Sequence, residues 1–164
     1  MNIVLAGMPG SGKTTVGKAL AAKLGWKFMD TDELIVKKHG DISAIFSDFG
    51  EEYFRKLERI AVREAAVCDS AVISTGGGCL TDGSNVIEFQ KHGKIIYLKT
   101  GMDELARRLR GDDTRPLLKG DAEANLRNLY DRRAHIYEQA ANFTVQTDGL
   151  TPGQIADAIT ELIK

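Results

Sequence analysis

Apolar and polar positions along the chain follow two different periods. Short β-favouring runs recur at Ile3 to Ala6, Lys27 to Met29, Ala71 to Ser74, Lys94 to Leu98 and Asn142 to Val145, with the length and residue types of strands. Between them the spacing changes to that of helices. Val16, Leu20 and Leu24 stand four apart with Ala19 and Ala22 between them, and Ile155, Ile159, Leu162 and Ile163 supply a similar stripe near the end. Two helix starts carry capping-box patterns: Thr100 with Asp103, and Thr151 with Pro152 and Gln154. Strand and helix in alternation predict an α/β fold with a parallel sheet covered on both faces. From Thr31 to about Cys68 the alternation lapses, with about three helical segments and no strand, more than one crossover requires.

Composition narrows the field without choosing within it. A chain of 164 residues, 43% hydrophobic and 27% charged, is expected to form one domain with a core that needs no disulfides or structural metal. Its net charge of -1 gives no electrostatic reason to expect nucleic acid or an anionic membrane as partner. The apolar runs are too short to span a bilayer, Met1 leads straight into the first strand, and Cys68 and Cys79 form no disulfide or zinc pattern. A reducing, cytoplasmic setting is the expectation, and with it the Asn142-Phe143-Thr144 glycosylation pattern and the Arg110-Gly111-Asp112 tripeptide lose meaning. No repeat or linker interrupts the chain.

The segment Gly7-Met8-Pro9-Gly10-Ser11-Gly12-Lys13-Thr14 changes the picture most. It is a complete G-x-x-x-x-G-K-[ST] phosphate-binding loop, placed between the first strand and the first helix. Successive backbone N–H groups of Gly10, Ser11, Gly12, Lys13, Thr14 and Thr15, with the helix N-terminus, would form an anion site for the β-phosphate. Lys13 brings a positive charge to the β- and γ-phosphates, and the Thr14 hydroxyl is placed to bind Mg²⁺. Beside such a loop, the polar stretch Gly111 to Gly120, with Arg115-Pro116-Leu117-Leu118 at its centre, reads as a mobile loop over the nucleotide, and the helical excess after Thr31 as a substrate-binding insertion.

Further residues fall at the carboxyl edge of the predicted sheet, where open α/β folds place ligands. Asp30 and Asp32 flank Thr31 and, in a strand-like segment, face one way; metal-water and hydroxyl contacts are one reading, helix N-capping the other. Arg55 and Glu58 stand three apart on a helix, Glu58 either holding the guanidinium for a substrate carboxylate or forming a surface ion pair. Thr75-Gly76-Gly77-Gly78 removes three side chains at a strand end, so a ligand or a neighbouring helix must come close. Of Arg132 and Arg133, one points to the site and the other to solvent. The histidines have no metal spacing, and Asp48-Phe49-Gly50 lacks the rest of a protein-kinase signature.

In order and spacing, the phosphate loop, Asp30-x-Asp32, Gly50-Glu51-x-x-Phe54-Arg55-x-x-Glu58, Thr75-Gly-Gly-Gly, Arg115-Pro-Leu-Leu and Arg133-x-x-x-Tyr137 resemble the shikimate kinase family over essentially the whole chain. The resemblance implies a three-layer P-loop fold, α/β, with a five-stranded parallel sheet of order 2-3-1-4-5 flanked by helices. It further implies a single kinase domain over residues 1–164, with the insertion at about 31–62 and a lid at about 111–120. The implied reaction is ATP-dependent phosphorylation of the 3-hydroxyl of shikimate by a cytoplasmic monomer, with one Mg²⁺ per site and neither nucleic acid nor membrane as partner. By motif match, Lys13 and Arg115 would hold the transferring phosphoryl group, Thr14 and Asp30 the Mg²⁺, and Arg110 and Pro152 would flank adenine. Asp32 would be the base, Arg55 and Arg133 the carboxylate clamp, and Gly76, Gly77 and Gly78 substrate contacts. The run after Gly78 lacks an arginine often found there. A gluconate or nucleoside monophosphate kinase would not need the paired arginines with the triple glycine. A guanine-recognition stretch is absent, and a non-catalytic nucleotide-binding module would be expected to have lost Lys13, Asp32 or Arg115.

Overall fold

A computed structural model describes residues 1–110 and 121–164. The strands are β1 (Asn2–Ala6), β2 (Lys27–Asp30), β3 (Ala71–Ser74), β4 (Gly93–Lys99) and β5 (Phe143–Gln146). All pair in parallel, in the order β2-β3-β1-β4-β5 that the resemblance implies. β5 starts one residue later than its apolar run suggests. Asn142 accepts from the Ile95 N–H through Oδ1 and donates its own N–H to the Ile95 carbonyl, both at 2.8 Å. Its side chain seals the strand entrance.

The helices are α1 (Lys13–Leu24), α2 (Thr31–His39), α3 (Ile42–Phe49), α4 (Glu51–Ala66), α5 (Gly83–His92), α6 (Met102–Arg110), α7 (Ala122–Ala140) and α8 (Pro152–Leu162). Every residue of β1 and β3 is buried. Side chains alternate across the sheet. Ile3, Leu5, Val72, Ile96 and Leu98 meet α1 and α8 on one face, whereas Val4, Ala6, Ile73, Ile95 and Tyr97 meet α4, α5 and α7 on the other. A third apolar cluster, Ile35, Ile45, Phe54, Leu57 and Ala61, joins α2, α3 and α4. These are the three helices expected between Thr31 and Cys68, and their own small core fixes the approach of α4 to the sheet edge.

Both readings of the helix starts are resolved. Thr151 caps α8, accepting from Gln154 N–H at 3.2 Å, while the Gln154 side chain accepts from Thr151 N–H at 2.9 Å. Thr100 does not cap α6. Its hydroxyl lies 2.6 Å from that of Thr147 in the interior, and the helix instead begins with Gly101, whose carbonyl accepts from Leu105 N–H at 3.0 Å. The expected lid at about 111–120, Arg115 with it, lies outside the described residues.

Candidate active site

The loop between β1 and α1 places its glycines where other residues would be strained: Gly10 and Gly12 have φ of 87° and 90°. Ser11 N–H donates to the Met8 carbonyl at 3.0 Å, closing the turn. The first turn of α1 carries no acidic side chain of its own to compete for its exposed N–H groups. Lys13 Nζ donates to the carbonyls of Gly7 and Met8 at 2.7 and 3.0 Å, which holds the ammonium over the loop. The buried Ser11 hydroxyl has no hydrogen-bond partner among the described residues. Thr14 Oγ1 stands 3.5 Å from Asp30 Oδ2. Two hard oxygens at this spacing suit Mg²⁺, a cation that prefers few protein ligands beside phosphate and water. No cluster of three or more metal-binding side chains occurs among the described residues.

A cavity of about 740 Å³ opens from this loop toward α2, α4 and α7. Its charged lining brings together Lys13, Asp30, Asp32, Glu51, Arg55, Glu58 and Arg133, with Gly76, Gly77 and Gly78 as its floor; Phe46, Phe54, Leu126 and Leu129 form apolar walls. Asp30 ends β2 and caps α2, its Oδ1 accepting from Asp32 and Glu33 N–H at 2.9 and 3.2 Å. Thus one carboxylate both caps the helix and turns its second oxygen toward Thr14. Asp32 belongs to the first turn of α2, not to a strand as the spacing argument assumed, yet the helix start still turns it into the same cavity. Burial and the neighbouring Asp30 charge push the Asp32 carboxyl up from its ordinary value, against the pull of Lys13 and Arg55.

Arg55 and Glu58 do not form a surface pair. Glu58 is 1% exposed and accepts from Arg55 Nη1 at 2.8 Å, and Arg55 reaches Glu51 at 3.4 Å with its other nitrogen. Burial pushes the Glu58 carboxyl up while Arg55 opposes the shift. On α7, Arg133 lines the cavity whereas Arg132 turns outward, Nε toward the Asn128 carbonyl at 3.4 Å. Tyr137, one turn beyond Arg133, donates its hydroxyl to the Gly77 carbonyl at 2.6 Å. Beneath the glycines, Cys79 is fully buried and burial pushes its thiol well up, which leaves it unreactive.

Arg110 does not join the site. It pairs with Glu123 and its side chain is 63% exposed. Among the described residues, the arginine that reaches the phosphate loop is Arg108, donating Nη1 to the Gly10 carbonyl at 2.7 Å and Nε to Glu104 at 2.9 Å. Helical phase contains the signal that distinguishes them. At about 100° per residue, Arg108 lies about 60° from the buried Leu105 and Arg110 about 140° away. Pro152 occupies the exposed first turn of α8 and Thr15 the exposed side of α1; neither lines the cavity.

A phosphate-binding loop at the end of the central strand, opening onto a cavity with an acid and two arginines, defines a P-loop phosphotransferase for a small acceptor. The shikimate kinase family model matches residues 9–164. Shikimate kinases of Persephonella marina and Moorella thermoacetica are 41% and 40% identical over 164 residues, covering 99% of this chain and 99% and 94% of theirs. In solved structures, shikimate kinase from Acinetobacter baumannii in complex with shikimate superposes with a TM-score of 0.92 at 36% identity, covering 99% of this chain and 92% of that one. The enzyme from Aquifex aeolicus gives 0.87 at 32%, with 99% and 96% covered. The chain belongs to the shikimate kinase family.

Proposed function

We propose that the chain transfers the γ-phosphoryl group of ATP to the 3-hydroxyl of shikimate, with Asp32 as base and Arg55 and Arg133 as carboxylate clamp. ATP-dependent phosphorylation of shikimate, in aromatic amino acid biosynthesis, follows from membership of the family. The observation carrying the residue assignment is the convergence of Asp32, Arg55 and Arg133 on one glycine-floored cavity that opens onto Lys13.

In this reading the Asp32 carboxylate takes the hydroxyl proton as the new O–P bond forms and the bond from the γ-phosphorus to the ADP oxygen breaks. Most of the acceleration comes from alignment and charge stabilisation. Lys13 and Arg115 balance charge on the transferring group, and Glu58 keeps the Arg55 fork aimed. Gly10, Ser11, Gly12, Thr14 and Thr15 bind the phosphates, and Arg108 replaces Arg110 on the nucleotide side. Thr14 and, through water, Asp30 would hold Mg²⁺, which neutralises the phosphates when bound. The 164 residues act as one kinase domain with the α2 to α4 insertion, working as a monomer in the cytoplasm without nucleic acid or membrane partners. The small net charge gives nucleic acid and anionic membranes no electrostatic hold, and no described helix is long and apolar enough to cross a membrane.

A coupled ADP-release assay with ATP and Mg²⁺ tests the reading, run in parallel with shikimate, gluconate, a nucleoside monophosphate and no acceptor. Release dependent on shikimate alone is expected. Release with another acceptor would overturn the clamp.

A further inference from the structure

Three consecutive glycines floor the cavity, and their backbone does not require them. None of Gly76, Gly77 and Gly78 has a left-handed φ, and Gly78 sits at −96°. Alanine would therefore fit each backbone without strain. What a methyl group would disturb is the neighbour that each would meet. A Cβ on Gly76 would lie 2.7 Å from Asp32 Oδ1, one on Gly77 2.9 Å from Arg133 Nη1, and one on Gly78 2.6 Å from Arg55 Nη2. All are closer than van der Waals contact, and each contacted atom is the tip of a side chain.

The strip itself is held from several sides. Gly76 N–H donates to Thr31 Oγ1 at 3.2 Å, and its carbonyl accepts from Cys79 N–H at 3.1 Å. The Gly77 carbonyl accepts from Tyr137. The Gly78 carbonyl accepts from the hydroxyl and N–H of Thr81, at 2.6 and 3.2 Å. A new methyl group would meet a pinned backbone beneath and a flexible side-chain tip above, so the tip moves.

We propose that each glycine is a positioning residue for a different substrate-facing group: Gly76 seats Asp32, Gly77 seats Arg133 and Gly78 seats Arg55. The strip is a template that sets base and clamp at fixed heights above one rigid backbone. This rests on the proposed roles of those three side chains. A Cβ at Gly77 would also come within 3.3 Å of Pro9 in the phosphate loop, coupling both halves of the site, so the discriminating variants are at Gly76 and Gly78.

The test compares the unmodified protein with Gly76→Ala, Gly78→Ala, Arg55→Ala and the double variant Gly78→Ala with Arg55→Ala. Readouts are kcat, KM for each substrate, the thermal midpoint and the Arg55 guanidinium signals in ¹⁵N NMR spectra. Gly78→Ala is expected to raise KM for shikimate while ATP KM and the midpoint hold, and Gly76→Ala to lower kcat. Either loss reaches up to on the order of a hundredfold in kcat/KM, the scale of an ångström's misplacement. Because Gly78 acts through Arg55, the double variant should be no worse than Arg55→Ala alone. Additive losses would overturn the proposal, as would a fall in thermal midpoint in both glycine variants, which would make the glycines structural. If the unmodified protein does not phosphorylate shikimate, the functional reading fails separately. The seat is then read from the Arg55 signals, which Gly78→Ala must shift and Gly76→Ala must leave; unchanged signals in Gly78→Ala overturn it.

Discussion

Asp32 combines the two demands that an active-site carboxylate faces. As the proposed base it must be free to take a proton, yet it is buried beside Asp30, so its ionised form is disfavoured and its pKa is raised above 3.8. A raised folded-state value means that this group's stabilising contribution is complete below the unfolded pKa and is lost as pH rises through the folded one. At neutral pH the charged carboxylate therefore costs stability. Asp32→Asn should raise the thermal midpoint at pH 7, and that gain should shrink as pH falls through the Asp32 titration. The same change should lower kcat by about 10²- to 10⁴-fold, as for removal of a general base. Thermal scans over pH, paired with turnover, check both. Arg108 offers a second prediction. Replacing it by Ala removes a charge-assisted contact to the phosphate loop, loosening that loop by about 1.5–3 kcal/mol; ATP, which must then order the loop on binding, should lose up to roughly ten- to hundredfold in affinity. Arg110→Ala should leave ATP affinity near its starting value, and titration of ATP into each variant decides. That Lys13, Asp32, Arg55 and Arg133 gather at one cavity is legible in their motifs, which fix spacing, whereas motif order alone points to Arg110 on the nucleotide side. Counting helical phase from Leu105 selects Arg108 instead.

At the level of elements, Asp30 is the joint between strand and site. Its Oδ1 caps α2 while Oδ2 faces Thr14, so the two duties are separable by substitution. Asp30→Ser keeps a capping oxygen and should hold stability within a few tenths of a kcal/mol, whereas Asp30→Ala should lose about 1 kcal/mol. Both should need more Mg²⁺ for half-maximal turnover, because both lack the carboxylate. Denaturant titration and a Mg²⁺ series read these separately, and equal stability of the two variants would contradict the cap. The α8 cap was readable because its partners are three residues apart. The Thr100 pattern misled because its partner, Thr147, is 47 residues away, and no local rule sees that distance. Burial of Glu58 was hidden for a similar reason. Charged Arg55, Lys56 and Arg59 stand close to it in sequence, and only the docking of α4 in the fold removes it from water.

For the whole molecule, the site is a meeting point of distant segments: the β1–α1 loop, the start of α2, α4, the β3 end and α7. A ligand that bridges them should stabilise the entire fold. Shikimate at a hundred times its dissociation constant should add about 2.7 kcal/mol, worth roughly 5–10 °C in thermal midpoint for a chain of this size. Arg55→Ala at the same concentration should lose most of that shift. Periodicity alone predicted a parallel α/β sheet but not which strands are neighbours, because alternation of element types is common to many strand orders; the order came from the family resemblance. That order has a consequence for the newborn chain. β1 and β2 are synthesised first but do not touch; β3 lies between them and pairs with both. Until Ala71–Ser74 leaves the ribosome, neither earlier strand has a hydrogen-bonding neighbour, and roughly the first two-fifths of synthesis yields helices and two solitary strands, the apolar β1 and the half-charged β2. The sheet then begins by insertion, one late strand joining two that have been waiting. During that interval these exposed strands are where the chain is most open to wrong partners.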